Sequence, residues 1–174
     1  IFAVVLPAQR TYSSAQKTYA QVQVTINAIK KQDIALASTE LDKTRADLTK
    51  TQNNLNSMSY LRFVPIANGY YSDASHLIKA GFYSLDGARV LVDSIVPYVD
   101  VLGLKGKGSF VGGTASQRIE TAVKTMGKIT PRIDDISNYV VLAQTEIDAV
   151  DPNHYPNIWL GSKVRSGLEK LQKL

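Results

Sequence analysis

Cysteine is absent from the 174-residue chain. Its absence excludes disulfide bonds, thiolate catalysis and zinc or iron–sulfur sites held by cysteine. Histidine is scarce as well: His76 and His154 lie far apart in sequence, without the H-x-x-x-H or E-x-x-H spacing of a metal-binding helix. We interpret both as imidazoles that pack or face solvent rather than as a ligand pair. We therefore expect no metal and no cofactor.

Charge is present but not concentrated. The chain has 20 Lys and Arg against 15 Asp and Glu, a net charge of +5. The basic residues are mostly scattered among acidic and amide residues, whereas a nucleic-acid binder gathers them on one face. Apolar residues make up 44% of the chain, which is typical of a globular domain. We expect no specific nucleic-acid partner.

Glycine is dense in one run only, LGLKGKGSFVGGT at 102–114. A phosphate-binding loop requires G-x-x-x-x-G-K-[ST], but Lys107 is followed by Gly108. The dinucleotide pattern G-x-G-x-x-G fails too, because Val111 occupies its last position. We interpret the run as a connection between two helices.

Apolar and small residues recur at alternating steps of three and four along four stretches, the spacing of amphipathic helices. The first seam is Val5, Ala8, Tyr12, Ala15, Tyr19, Val22, Ile26 and Ile29; the second is Ile34, Ala37, Leu41, Thr44, Leu48, Thr51, Leu55 and Met58; the third is Ala74, Ile78, Gly81, Leu85, Ala88, Val92 and Ile95; the fourth is Ile119, Val123, Met126, Ile129, Ile133, Ile136, Val140, Ala143, Ile147 and Val150. The pattern predicts an all-α fold, an elongated antiparallel up-down-up-down four-helix bundle with a short C-terminal fifth helix.

Helix boundaries follow from capping residues and prolines. Asp33 is placed to cap the second helix, and Thr114 with Gln117 forms a capping-box pattern. Pro97 ends or kinks the third helix. We expect Pro131 to kink or briefly break the fourth helix, and Ser162 to cap the terminal one.

The chain opens with IFAVVLPAQR. Six apolar residues are too few to span a bilayer, which requires roughly 20. We interpret residues 1–7 as the outer end of a membrane anchor, the alternative being a frayed, partly buried first turn. The predicted organisation is then the anchor end at 1–7, a four-helix bundle ectodomain at 8–160, and a terminal helix at 161–174 leading into a further region.

An anchored first helix divides the bends between two ends of the bundle. The bends at 61–71 and 151–161 lie near the membrane, where aromatic and basic residues suit the water–lipid boundary. The predicted membrane-proximal residues are Tyr60, Arg62, Phe63, Tyr70, Tyr71, Tyr155 and Trp159. The alternative is that these rings close the open end of the bundle.

The bends at 30–33 and 102–114 form the distal tip. Lys30, Lys31, Lys105 and Lys107 converge there as a candidate site for an anionic polymer or an acidic partner surface. Lysines at a tip also serve solubility alone, and this alternative stays open.

No arrangement of residues indicates catalysis. Asp134, Asp135, Glu146 and Asp148 lie on one helix without the Glu-x-x-His sets of bundle di-iron sites. No serine has a base beside it, so no nucleophile, base and oxyanion donor are assembled. We expect a protein that is not an enzyme.

Several stretches together resemble a family of bacterial surface proteins known as a domain of unknown function, number four thousand and twelve. They are FAVVLPAQRTYSSAQKTYAQ, LRFVPIANG, HLIKAGFYSLDGARVLVD and EIDAVDPNHYP, the last carrying an E-I-D-x-[IV]-D-P-x-x-Y-P pattern. The resemblance implies a membrane-anchored, outward-facing helical ectodomain, normally followed by another domain. It implies no catalytic or binding residue.

The expected function is a non-enzymatic helical stalk or scaffold on the extracellular side of the cell membrane. Its expected partners are the membrane, a protein partner or a second copy, and an anionic envelope polymer. The alternative is a sensor, an extracellular four-helix bundle that binds a small ligand and shifts helices across the membrane.

Overall fold

The computed structural model describes residues 2–102, 104, 114–157 and 159–173, without the side chains of 2–5, 100, 101, 122, 129, 159 and 160. Six α-helices account for most of them: α1 (Phe2–Lys30), α2 (Ile34–Asn56), α3 (Ala67–Ile95), α4 (Val99–Leu102), α5 (Ala115–Asp148) and α6 (Trp159–Leu171). Short 3₁₀ turns occupy Ser59–Phe63, Val96–Tyr98 and Pro152–His154. The all-α prediction is confirmed.

The capping residues predicted from the sequence begin their helices. Asp33 Oδ1 accepts the backbone N–H of Leu36 at 2.9 Å, which starts α2. Thr114 and Gln117 form a reciprocal capping box at the start of α5. The backbone of α3 ends at Ile95, just before Pro97.

Two boundary predictions concern Pro131 and Ser162. Pro131 lies inside α5, which continues from Ala115 to Asp148, so the predicted brief break is wrong, while the predicted kink stays a prediction. The prediction that Ser162 caps α6 is wrong, because that helix already begins at Trp159. In both places the helix accommodates a residue that sequence rules treat as a boundary.

The long helices are antiparallel neighbours in chain order. Thr18 on α1 faces Thr51 on α2, and Thr25, one heptad later, faces Thr44, one heptad earlier. The same reversal relates α2 to α3 through Arg45–Asp86 and Arg89–Asp42. It also relates α3 to α5 through His76–Glu146 and Gly87–Tyr139.

Extensive interfaces join α1 to α2, α2 to α3, and α3 to α5. Across the described residues, α1 and α5 do not form an interface of this kind. The four long helices therefore leave one side open, where a closed bundle would bring α1 against α5.

The hydrophobic core lies between α2 and α3. All eight residues of the second seam are buried, as predicted. One cluster joins Ile34 and Leu41 to Val92, and another joins Leu48 and Leu55 to Ile78. These residues cover the face of α2 between its two neighbours.

Small residues of α3 allow close helix packing on both of its sides. A Cβ added to Gly81 would lie 3.0 Å from Leu48 Cδ2 on α2. One added to Gly87 would lie 3.2 Å from Tyr139 Cβ on α5. The close approach predicted around the third seam is confirmed.

The first seam does not face α2, contrary to the prediction that all four seams pack together. Tyr12 and Tyr19 are 65% and 67% exposed. The contact with α2 uses a hydroxyl stripe instead: Thr18 Oγ1 lies 3.0 Å from Thr51 Oγ1, and Thr25 Oγ1 lies 2.9 Å from Thr44 Oγ1. These hydrogen bonds make a polar stripe of α1 its buried face.

The fourth seam is buried only in part. Ala143 and Val150 are buried, but five of its residues are exposed. The exposed ones are Ile119, Val123, Met126, Ile133 and Val140. The physical reason is that α3 covers one face of α5, while no helix of the described chain covers the adjoining face.

Candidate functional site

The clasp is a polar cluster formed by Asp73, Asp151, His154 and Tyr155, where the segment after α5 returns to α3. The carboxylate of Asp73 is 1% exposed. Its Oδ1 accepts the backbone N–H of Asp151 at 3.2 Å, and its Oδ2 lies 2.8 Å from His154 Nδ1. Tyr155 follows His154 and lies near enough for the charge of Asp73 to act on its phenol.

Local turn chemistry brings the clasp residues together. Asp151 Oδ1 accepts the backbone N–H of Asn153 at 2.9 Å, which starts the tight turn Pro152–His154. The turn then directs His154 and Tyr155 toward α3. Gly69 leaves room for the imidazole, since a Cβ there would lie 2.7 Å from His154 Nε2.

The protonation states of the clasp favour a structural role. The hydrogen bond to Asp73 raises the pKa of His154, although partial burial opposes the shift. Burial, reinforced by the charge of Asp73, raises the pKa of Tyr155 to about 12. The phenol therefore stays neutral, and the imidazole is favoured in its charged, donating form.

The segment following the clasp caps the end of α5. Gln172 Nε2 donates to the carbonyl oxygens of Ile147 at 3.1 Å and Val150 at 2.8 Å. Helix C-termini leave such carbonyls without partners in the helix itself. Gly161 permits the return, because a Cβ there would lie 2.1 Å from the carbonyl oxygen of Pro156.

The two histidines each contact a different carboxylate. His76 Nδ1 lies 2.6 Å from Glu146 Oε2, and Lys79 lies 3.7 Å from the same carboxylate. His154 bonds to Asp73 instead. Within the described ranges no group of three or more His, Asp and Glu residues could hold a metal ion. His76 thus joins α3 to α5, and His154 joins the turn after α5 to α3.

Two of the predicted membrane-proximal residues, Tyr70 and Tyr155, meet at the clasp. Tyr70 meets the ring of Tyr155 edge-on, with centroids 5.5 Å apart. The guanidinium of Arg62 lies 5.7 Å from the centroid of Tyr71. Tyr60 is exposed. The side chain of Trp159 lies outside the described ones. The structure thus gathers the bends at 61–71 and 151–161 at one end.

The turn between α2 and α3 exposes two apolar side chains almost fully. Phe63 is 82% exposed and Ile66 is 85% exposed. Ile66 also has a φ of 71° and a ψ of −50°, a region that branched residues rarely adopt. Sequence reasoning identified Phe63 but missed Ile66. The Val-Pro-Ile triplet was the available signal, since proline at the tip of a turn leaves its apolar neighbours outside.

At the opposite end, only part of the predicted lysine cluster falls within the described chain. Lys30 and Lys31 are exposed in the turn between α1 and α2. Lys105 and Lys107 lie outside the described residues. The carbonyl of Leu104 accepts the backbone N–H of Ile34 at 3.2 Å, so the chain enters the glycine run beside that turn.

Comparisons with protein-family models, with characterised proteins and with solved structures found no match to this chain. The resemblance to the bacterial surface family stays a prediction. None of the described helices is long and apolar enough to cross a membrane.

Proposed function

We propose that the protein is a non-enzymatic helical stalk of the cell envelope, anchored in the membrane and facing outward. In this proposal residues 8–160 form an up-down-up-down bundle. The turn at 60–66 rests on the lipid surface at the base, while Lys30, Lys31, Lys105 and Lys107 face partners at the tip. The observation that most directly supports this proposal is the exposure of Phe63 and Ile66.

Exposing these two side chains has a cost that lipid contact would remove. Each would gain roughly 1.5–3 kcal/mol if moved from water to an apolar environment. The positive φ of Ile66 adds backbone strain, which tends to persist at functional sites. Arg62, directly before Phe63, suits the anionic surface of a bilayer.

The start of α1 lies at the same end as this turn. Asn54 Nδ2 donates to Ser14 Oγ at 3.1 Å. Two turns before Ser14, α1 passes through Leu6. Just after Asn54, α2 ends at Asn56 and leads into the 59–63 turn. Leu6 is itself exposed. Two apolar surfaces at one end support a membrane-facing base.

The polar groups at the base support a scaffold rather than an enzyme. Asp73 bonds to His154 and to the backbone of Asp151, and His76 bonds to Glu146, which Lys79 also contacts. The first set joins α3 to the segment after α5, and the second joins α3 to α5 itself. Such joints make the base rigid.

Vesicle binding tests the proposal. The chain and its Phe63→Ser/Ile66→Ser variant would be sedimented with vesicles of mixed zwitterionic and anionic phospholipid. The variant loses at least roughly 1.5–3 kcal/mol of the free energy of transfer to the lipid, so it should bind vesicles more weakly by about 10- to 100-fold. The matched control is Val24→Ser/Leu36→Ser, which removes two exposed apolar side chains remote from the 60–66 turn.

The control should bind as the unmodified chain does, with unchanged melting temperatures in all three proteins. Equal binding by the Phe63/Ile66 variant, or no binding by the unmodified chain, would contradict the proposed contact between the 60–66 turn and the membrane.

A further inference from the structure

The trough is an open apolar channel with the exposed first seam on one side and α5 on the other. Its residues are Tyr12, Tyr19 and Ile26 on α1, Leu91 on α3, and Ile133 and Val140 on α5, all of them exposed. A groove of about 290 Å³ between α3 and α5 forms its floor, lined by Leu91, Val140 and other apolar residues.

Helix geometry places the exposed apolar faces of α1 and α5 on the same side of the molecule. On α2, the residues that face α1 and those that face α3 lie about 110° apart around the helix axis, counted at 100° per residue. The axis of α1 therefore lies outside the plane that contains α2 and α3. On α1 the seam lies about 100° around the axis from Thr18 and Thr25. Because neighbouring helices alternate in direction, this rotation aims Tyr12 and Tyr19 toward the side on which the α3–α5 groove opens.

We propose that the trough is the dimer interface of this protein, in which α1 of each copy packs against α5 of its partner. A two-fold axis parallel to the helices brings the two troughs face to face. It places each α1 seam antiparallel to the fourth seam of the partner. This proposal does not depend on the membrane contact.

Charge complementarity selects α1 against α5 over like-with-like pairing. Along its whole length α1 has Arg10, Lys17 and Lys30 and no acidic residue. From 133 to 148, α5 has four acidic residues and no basic one. Glu146 among them already contacts His76 and Lys79 on α3, so the complementarity rests on the other three. Pairing α1 with α1, or α5 with α5, would bring charges of one sign together.

The level of each helix fits the same pairing. Counting along the facing residues from α1 through α2 and α3 to α5 puts Lys30 at the level of Asp134. The same count puts Ile26 at the level of Asn138, within one turn of Val140. A two-fold axis along the helices keeps these levels, so both pairs form between copies.

The apolar area of the trough supplies most of what a stable interface requires. Its six apolar side chains leave about 600 Å² in water, at the upper end of the largest apolar patch on a typical monomer. A stable interface takes about 800 Å² from each partner. Flanking amides on α1, Gln16, Gln23 and Asn27, add the polar rim that such interfaces have.

Disulfide trapping identifies the occupant, since the chain has no cysteine of its own. Chains with Ile26→Cys would be mixed with chains carrying Val140→Cys and oxidised. We expect a covalent dimer of one chain of each kind, visible without reductant. Val24→Cys is the matched control, because it lies at the same level but turns away from the trough and should not trap Val140→Cys.

A chain carrying both substitutions separates the remaining outcomes. Covalent dimers support the proposal, whereas a purely internal disulfide would mean that α1 closes on α5 of its own chain and would overturn it. Failure of the mixed chains to cross-link would overturn it equally.

Sedimentation equilibrium provides a second measurement. The unmodified chain should be dimeric, and Tyr19→Glu should weaken dimerisation at least tenfold while Val24→Glu does not. Lys30→Glu should also weaken it, and adding Asp134→Lys should restore it. A monomer at all concentrations, or equal effects of Tyr19→Glu and Val24→Glu, contradicts the interface.

Discussion

Replacing Asp73 by alanine tests the clasp directly. The buried carboxylate accepts a backbone N–H and bonds to His154. A hydrogen bond to a charged group contributes about 1.5–3 kcal/mol net, so the two together predict a loss of about 3–6 kcal/mol in the free energy of unfolding. In a chain of this size the melting temperature should fall by about 6–24 °C.

Urea denaturation followed by far-ultraviolet circular dichroism would measure this loss. The measurement belongs below the ordinary pKa of histidine, where His154 is charged in both states. Asp93→Ala is the control, because that carboxylate lies on the same helix but its side chain is 62% exposed. The control should change stability by no more than about 0.5 kcal/mol.

The reasoning fails if Asp73→Ala costs less than about 1 kcal/mol, or no more than Asp93→Ala. A nuclear magnetic resonance titration adds an independent check. The pKa of His154 is raised by its hydrogen bond to Asp73, so it should return toward 6.5 in the variant. An unchanged His154 pKa would show that Asp73 is not its partner in solution.

Three further predictions concern the segment after α5. Gly161→Ala should lower the free energy of unfolding by more than about 2 kcal/mol, because its Cβ would meet the Pro156 carbonyl. Gly167→Ala has open space around it and should raise the free energy of unfolding by about 0.5–1 kcal/mol. Similar melting temperatures for the two variants would contradict the packing at Gly161. The pKa of His154 is raised on folding, so the stability it adds is complete below about pH 6.5 and is lost as pH rises through the folded value. The melting-temperature gap between the unmodified chain and His154→Gln should therefore narrow with rising pH, and a widening gap would reverse the assignment. Gln172→Ala should speed amide hydrogen exchange in the last turn of α5 by roughly five- to tenfold, the effect of about 1 kcal/mol, whereas Lys173→Ala should not.

Periodicity predicted the buried face of α2 completely and the buried face of α1 incorrectly, for one physical reason. A seam identifies which residues share a helix face, and on α2 the buried face includes Thr44 and Thr51 among its leucines. On α1 the stripe that meets those threonines carries Thr18 and Thr25, which a hydrophobicity pattern counts as polar. Only the hydroxyl pairing across the interface shows that this face is buried.

The candidate site was predictable in position but not in chemistry. The sequence places Tyr70 and Tyr155 in two bends at one end, and the structure brings their rings together. The pairing of His154 with Asp73 joins residues 81 positions apart. No local spacing encodes such a contact, because it depends on how the turn after α5 folds back over the start of α3.

The threonine pairs between α1 and α2 also determine how far α1 can roll about its axis. Each of the four hydroxyls lies 2.9–3.2 Å from the carbonyl oxygen four residues earlier, besides its partner hydroxyl. A hydroxyl has a single hydrogen, so in each pair one threonine donates across the interface and the other donates to its own helix. Rolling α1 would break both pairs at once, which leucine contacts would not penalise so sharply. The tyrosines of α1 are thus held facing outward in the single chain. The proposed dimerisation would therefore require no rearrangement of α1.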